Sequence, residues 1–362
     1  MKCKEYYNNI NDFDNNSDNE SDYDSDFESE SNFDSNTDNY VDFSRGYIEM
    51  ACGSGKTLTS YWIDKEFNNK KTVIFVPSLH LLSQFFSDWI NQSYSDNIKI
   101  NYLLIGSDAD VDDDIKYNSI GLILYNDPIK IHNYITNVIN NNEKLVVIST
   151  YQSSDKLANK NIVFDFGIFD EAHKTVGQGG KQFSKMLDND NMIITKRLLM
   201  TATPKMYIGL DEDILSMDNE KYYGKQIFCY NTGNGINDKM LVDYQLVTLV
   251  ATNKEIVDII NINKLVKYNN EFDDEESNYL GIIILILKKI HDGTCNHMVT
   301  YHNTVKRAQK FMKFLEIINS LLYTNTNLYV NSFDGTTSMG KRKKIIKEYI
   351  DNAKAILCTA RV

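Results

Sequence analysis

At 362 residues the chain is long enough for two domains with separate cores. Its 42% apolar and 24% charged residues exclude a fibrous or wholly disordered protein. The net charge of −12 is local: residues 1–44 hold 13 Asp or Glu and 2 Lys or Arg, which leaves 37 acids against 36 bases in the remainder. The near-neutral body excludes a basic field over the whole surface, so any nucleic-acid path must be a local basic strip.

Residues 1–44 alternate Asn, Asp, Ser and Glu with isolated aromatics. Such a segment buries too little apolar surface to offset its ordering entropy, so a disordered acidic tail is expected. It reads either as an interaction arm with modifiable serines or as a solvating tail. No secretory signal precedes it, and the longest apolar run, Ile282 to Leu287, reads as part of a buried helix rather than a membrane span. The five cysteines, Cys3, Cys52, Cys229, Cys295 and Cys358, form no CxxC pair and no zinc spacing. Reduced thiols in an intracellular compartment are therefore expected. Heavy use of Asn, Ile, Lys and Tyr with 3 Pro points to an AT-rich genome, such as that of a large DNA virus, with host cytoplasm or virion as the expected location.

From Gly46 onward, β-rich runs alternate with helical stretches. Thr72–Val76, Asn101–Ile105, Leu145–Thr150, Phe166–Asp170 and Arg197–Thr201 read as strands, and Leu79–Ile90 as an amphipathic helix. Buried apolar strands alternating with helices predict an α/β fold with a parallel sheet covered on both faces. A looser region, 211–276, carries one further expected strand, Tyr244–Ala251, and the acidic patch Glu271–Glu276; it reads as connection and linker. Beyond it, strands at Met298–His302, Leu328–Phe333 and Ala355–Thr359 alternate with helices at Val305–Leu322 and Lys341–Tyr349. The expected domains are thus the tail 1–44, a first lobe 45–210, the linker 211–276 and a second lobe 277–362.

Two sites carry chemistry. Met50-Ala51-Cys52-Gly53-Ser54-Gly55-Lys56-Thr57 follows an apolar strand and opens a helix. Glycines there let backbone N–H groups turn inward around phosphates seated at the helix N-terminus. Lys56 would reach the β- and γ-phosphates of ATP, and the Thr57 hydroxyl would ligate Mg²⁺. The strict pattern asks for glycine where this chain has Met50. The second site, Phe166-Gly167-Ile168-Phe169-Asp170-Glu171-Ala172-His173, is an apolar strand ending in two adjacent carboxylates. In a parallel sheet those carboxylates face the same crevice as the glycine-rich loop. Asp170 is suited to the Mg²⁺ shell and Glu171 to orienting and deprotonating a water, the division that phosphoryl transfer requires.

Together these stretches resemble a superfamily 2 helicase of the DEAH/DExH type, close to the helicase modules of restriction-type translocases. The resemblance runs over about residues 46–362. It is carried by Met50–Thr57, Val76–Gln84, Ser149–Gln152, Asp170–His173, Met200-Thr201-Ala202-Thr203-Pro204, Val299–Asn303 and Ile356–Val362. It implies two RecA-like lobes that use ATP and Mg²⁺ on RNA or DNA. It further implies that Thr201 and Thr203 couple the hydrolysis site to the nucleic-acid track, and that His173 bridges the carboxylate pair to them. Pro77, Ser78, Gln84, Thr150, Tyr151 and Gln152 would line the track in the first lobe; His302, Asn303, Asp334, Gly335 and Thr359 would do so in the second. These contacts would be to phosphates rather than bases.

Two departures stand out. The family's adenine-reading glutamine would lie upstream of Met50, yet no Gln precedes Gln84. The sequence also stops at Val362, before the family's Gln-x-x-Gly-Arg-x-x-Arg helix, so a second lobe without its last strands and arginine finger is expected. The leading expectation is a nucleic-acid-dependent ATPase. The alternatives are a helicase-like module that binds ATP or nucleic acid without turnover, and a gene fragment with no stable fold.

Overall fold

The computed structural model describes residues 44–106, 124–178, 182–209, 214–246, 248, 274–323, 327–335, 337 and 339–360. The expected acidic tail thus lies, but for Ser44, outside the described residues, as do Gly179–Lys181 and the first half of the acidic patch, 271–273. The chain divides into two compact units, the first running to Asp243 and the second from Tyr244.

In the first unit the elements run β1 (Arg45–Met50), α1 (Lys56–Phe67), β2 (Lys71–Val76), α2 (Leu79–Ser95), β3 (Asn101–Ile105) and β4 (Leu124–Tyr125). They continue with α3 (Pro128–Asn140), β5 (Leu145–Thr150), β6 (Val163–Phe169), β7 (Gly177–Gln178) and β8 (Ile193–Thr201). The last are β9 (Ile214–Leu215), α4 (Glu220–Tyr223), β10 (Lys225–Tyr230) and α5 (Thr232–Asn237). Eight of the strands form one sheet in the order β10-β1-β8-β6-β2-β5-β3-β4, and every described pair is parallel. The apolar stretches Val73–Val76 and Leu145–Ile148 are fully buried, as strands covered on both faces must be. The fold is α/β with a large parallel sheet, as the sequence predicts. Strand Val163–Phe169 begins three residues before the expected start and ends one residue earlier, which leaves Asp170 just past the strand.

Local chemistry sets the helix starts. Ser78 Oγ accepts the Leu81 N–H to cap α2, and Asp127 accepts the Ile129 N–H ahead of Pro128 to cap α3. No side chain caps α1, whose N-terminal residue follows Gly55. That helix is instead fixed by its sides. Trp89 of α2 donates through Nε1 to the Thr57 carbonyl and to Ser60 Oγ, both at 3.3 Å, and its ring meets Tyr61 edge-on. On the sheet side, Asp64 of α1 pairs with Lys144 at 2.6 Å and also accepts from Thr72 and Asn69.

Residues 214–243, within the stretch expected as connection and linker, carry β9, α4, β10 and α5. Strand β10 extends the sheet beyond β1. Gly224, at φ +66, turns the chain into it where a Cβ would collide with the Arg45 carbonyl. Of the strand expected over Tyr244–Ala251, Tyr244–Leu246 are irregular and residues 249–251 lie outside the described residues.

The second unit comprises α6 (Asp274–His291), β11 (His297–His302), α7 (Val305–Leu322), β12 (Tyr329–Phe333), α8 (Met339–Asp351) and β13 (Ala355–Ala360). Its strands form a parallel sheet in the order β11-β13-β12. Ile283, Leu287 and Ile290 of α6 pack with Phe311, Leu315 and Ile318 of α7 and with Ile356 and Cys358 of β13. Ile282 stays half exposed, so the expected buried helix is amphipathic.

Candidate active site at the carboxyl edge of the sheet

Because the strands are parallel, their carboxyl ends share one edge, and the candidate residues of the first unit gather there. The Met50–Thr57 loop leaves β1 with its first N–H, that of Ala51, bonded to the Tyr230 carbonyl at 2.9 Å. Gly53 and Gly55 both take positive φ, +78 and +90, which turns the loop back over the start of α1. A Cβ at Gly55 would meet nothing within 4 Å, so the loop borders open space at that position. The Ser54 hydroxyl bonds the Ala51 carbonyl at 2.7 Å, and Lys56 Nζ folds over the loop to donate to the Met50 carbonyl at 3.2 Å. Uncapped N–H groups of α1, an open loop and an ammonium beside it form an anion cradle.

Two strands away, Asp170 follows the end of β6 and is buried. Its N–H is held by the Phe75 carbonyl at 2.9 Å, and its own carbonyl accepts the Tyr151 hydroxyl at 2.8 Å. Burial and then the charge of Glu171 push the Asp170 carboxyl up to about 7, against the pull of Lys56. Glu171 adopts a left-handed backbone at φ 49, ψ 45 with no side-chain cap, a conformation that is uncommon away from glycine and Asn. Its Oε2 lies 3.3 Å from His173 Nδ1, and the same nitrogen lies 2.8 Å from Thr201 Oγ1. That hydroxyl also accepts the Thr203 N–H at 3.1 Å. Burial lowers the His173 pKa although Glu171 acts in the opposite sense. A chain of close polar contacts therefore runs from Glu171 through His173 and Thr201 to Thr203 at the end of β8.

The buried Asp170 beside the half-buried Glu171 is suited to a cation. Among the described residues no three His, Cys, Asp or Glu side chains gather into a metal-binding group. A Mg²⁺ held here by Asp170 and the Thr57 hydroxyl would draw the rest of its shell from phosphate oxygens and water, the usual arrangement for this ion.

The expected track residues fare unequally. Just past β2, Pro77 is buried, away from the expected track, whereas Ser78 is exposed, as is Gln84 on α2. Gln152 is exposed, its carbonyl accepting from Gln182 at 3.0 Å. Thr150 and Tyr151 are buried. The Tyr151 ring stacks between Phe75 and Phe183, and its hydroxyl supports Asp170, so its side chain does not face solvent as expected. The aromatic after β5 serves the carboxylate site from below. In the second unit, His302 is half-buried, 3.0 Å from Thr300 Oγ1 and packed on Phe311, while Asn303 is exposed at the end of β11. The Asp334–Thr337 turn after β12 is held by Arg342, which donates to the Thr337 and Gly335 carbonyls at 2.7 Å each. Thr359 is buried in β13, its hydroxyl without a hydrogen-bond partner among the described residues. Arg342 carried no sequence signal, since its partners are backbone carbonyls.

A RecA-like lobe with a glycine-rich loop after its first strand and an Asp-Glu-Ala-His end to its Asp170 strand is a helicase-type module. The chain belongs to the family described as "Type III restriction enzyme, res subunit", whose model matches residues 9–206, more than half of the sequence. It is 32% identical over 209 residues to the "Probable helicase A859L" of two African swine fever viruses, isolate Tick/South Africa/Pretoriuskop Pr4/1996 and isolate Tick/Malawi/Lil 20-1/1983. Each match takes in 57% of this chain and 22% of the relative, so the chain spans just over a fifth of the length of these relatives. In fold it is similar to the "ATP-dependent Type ISP restriction-modification enzyme LlaBIII bound to DNA", at TM-score 0.70 and 22% identity, over 99% of this chain and 24% of that one. A nuclease-deletion mutant of the Type ISP enzyme LlaGI, in complex with a DNA substrate mimic, gives TM-score 0.59 and 24% identity over 87% of this chain and 23% of that one. Among the described residues, no helix is long and apolar enough to cross a membrane.

Proposed function

We propose that the first unit binds ATP with Mg²⁺ and hydrolyses it to drive movement along nucleic acid, with DNA as the polynucleotide, a choice supported by the DNA-bound restriction enzymes it is similar to in fold. The observation that carries this reading is the convergence, at one edge of one sheet, of a glycine-rich loop bearing Lys56 and the buried Asp170 beside the half-buried Glu171.

In this reading the Met50–Thr57 backbone and Lys56 hold the phosphates, and the Thr57 hydroxyl and Asp170 hold Mg²⁺. The ion supplies charge neutralisation on the transferring phosphoryl group, the dominant need of this chemistry. Glu171, set forward by its left-handed backbone, orients the attacking water and takes its proton. His173, Thr201 and Thr203 relay the state of that centre along β8. In the first unit Ser78, Gln84 and Gln152 contact phosphates of the polynucleotide, and in the second unit Asn303 and the Gly335 backbone have the same role.

The direct test is Lys56→Ala. Lys56 opens α1 half-buried and its one hydrogen bond is to the Met50 carbonyl, so melting should change little while Mg·ATP affinity collapses. Unchanged Mg·ATP affinity in a folded Lys56→Ala protein would remove the glycine-rich loop from the proposal.

A further inference from the structure

Strand order gives the proposed nucleotide site a direction. Asp170 and Glu171 follow β6, which lies two places from β1 across β8, whereas β10 flanks β1 on the opposite side. A triphosphate in the Met50–Thr57 loop with its terminal phosphate toward Asp170 must carry its nucleoside the other way, toward β10.

A built loop stands there. Where β10 ends, the Tyr230 carbonyl takes the Ala51 N–H, so the two strand ends are bonded at the root of the phosphate cradle. Asn231 and Asn234 close a reciprocal capping box over the first turn of α5. The chain then folds back, with the Met240 and Leu241 N–H groups both bonded to the Gly235 carbonyl at 2.9 Å. The Tyr230 hydroxyl donates to Asp238 Oδ2 at 2.8 Å across the loop. This return brings the half-buried Leu241 side chain against the cradle: its Cδ2 lies 3.4 Å from where a Cβ on Gly53 would stand, and it also packs over Gly235.

We propose that Tyr230–Leu241 forms the nucleoside wall of this site, with Leu241 as the apolar platform for the base. The inference rests on the ATP reading above. A nucleotide base is a flat apolar surface with polar edges. An aliphatic side chain touching the phosphate loop gives it an apolar contact, and the Asn231, Asn234 and Asp238 groups around the turn offer polar partners to its edges and to the ribose. The wall comes after β10 in the chain.

The test compares two ligands that share a phosphate chain. Mg·ATP and Mg·tripolyphosphate are titrated calorimetrically into the wild-type chain and into Leu241→Ala. Loss of the platform should weaken Mg·ATP by about tenfold and leave Mg·tripolyphosphate within about twofold. Equal weakening of both ligands, or of neither, would overturn the inference while leaving the cradle intact. Failure of the wild type to bind either ligand would instead sink the ATP reading itself. Independently of any variant, azido-ATP carrying its photolabel on the base should label a peptide within Tyr230–Leu241 of the wild type. Labelling confined to other peptides would overturn the inference.

Discussion

Thr201 joins the ends of two strands, and its hydroxyl is the smallest group whose loss should uncouple them. Thr201→Val keeps the shape and removes the oxygen, so it opens no cavity. The lost oxygen is fully buried, accepts the Thr203 N–H at 3.1 Å and lies 2.8 Å from His173 Nδ1. His173 retains Glu171 at 3.3 Å, so the Thr203 N–H is the group left without its bond. Thr203 is exposed, so water can take its N–H and the loss is the net worth of one hydrogen bond, about 0.5–1.5 kcal/mol. The weakened histidine contact adds about 0.5–1 kcal/mol, or roughly 1–2 kcal/mol in all. For a unit of this size that corresponds to a fall of roughly 2–8 °C in melting temperature. Differential scanning calorimetry measures the stability change. ATP turnover with and without polynucleotide measures coupling, where Thr201→Val should keep basal turnover and KM for ATP but lose stimulation by DNA. Thr201→Ser, which keeps the oxygen, should restore both stability and stimulation. A Thr201→Val protein that melts as the wild type and is stimulated as strongly would refute the relay from His173 to β8.

Other expectations follow from the same geometry. Cys52 is exposed in the glycine-rich loop and Cys229 on the neighbouring edge strand, where partial burial and Glu49 raise its thiol, whereas Cys358 is buried with its thiol pushed up to about 11. A thiol reagent at neutral pH should modify Cys52 and Cys229 but spare Cys358 until the chain unfolds, and Mg·ATP should protect Cys52, as peptide mass mapping can check. Modification of Cys52 at an undiminished rate under saturating Mg·ATP would contradict the cradle. Lys144→Met strands the buried Asp64 carboxylate, which keeps only its Thr72 and Asn69 bonds, and should destabilise the first unit by about 3 kcal/mol. The double variant Lys144→Met with Asp64→Asn should recover most of that in chemical denaturation; no recovery would mean that the Lys144 stem, not its charge, matters.

Much of this arrangement is written in the sequence, and the residues show why. Met50–Thr57 and Asp170–His173 are legible because a run of buried apolar residues leads into each, so strand, turn and chemistry appear within one window. Sheet order is not written in that way. Strand β10, Lys-Gln-Ile-Phe-Cys-Tyr over 225–230, is an edge strand with exposed and half-buried residues, so it lacks the apolar run that marks β2 and β5. Its place beside β1, and with it the contact of Leu241 on the Gly53 loop, depends on pairing across about 180 positions that no local pattern encodes. Tyr151 illustrates the reverse difficulty. An aromatic at a strand end suits either a nucleic-acid surface or a core, and only the stack with Phe75 and Phe183 decides for the core.

The central claim is that Glu171 activates water on ATP held by Lys56 and Asp170 in a nucleic-acid-driven cycle. The measurement that reaches it most directly is ATP turnover by the wild type and Glu171→Gln, each with and without duplex DNA, alongside equilibrium Mg·ATP binding. The account predicts DNA-stimulated turnover in the wild type. In Glu171→Gln it predicts a loss of about 10²–10⁴-fold with Mg·ATP binding retained, since the variant keeps the volume and the Mg²⁺-holding Asp170 but not the base. Undiminished DNA-stimulated turnover by Glu171→Gln would contradict it.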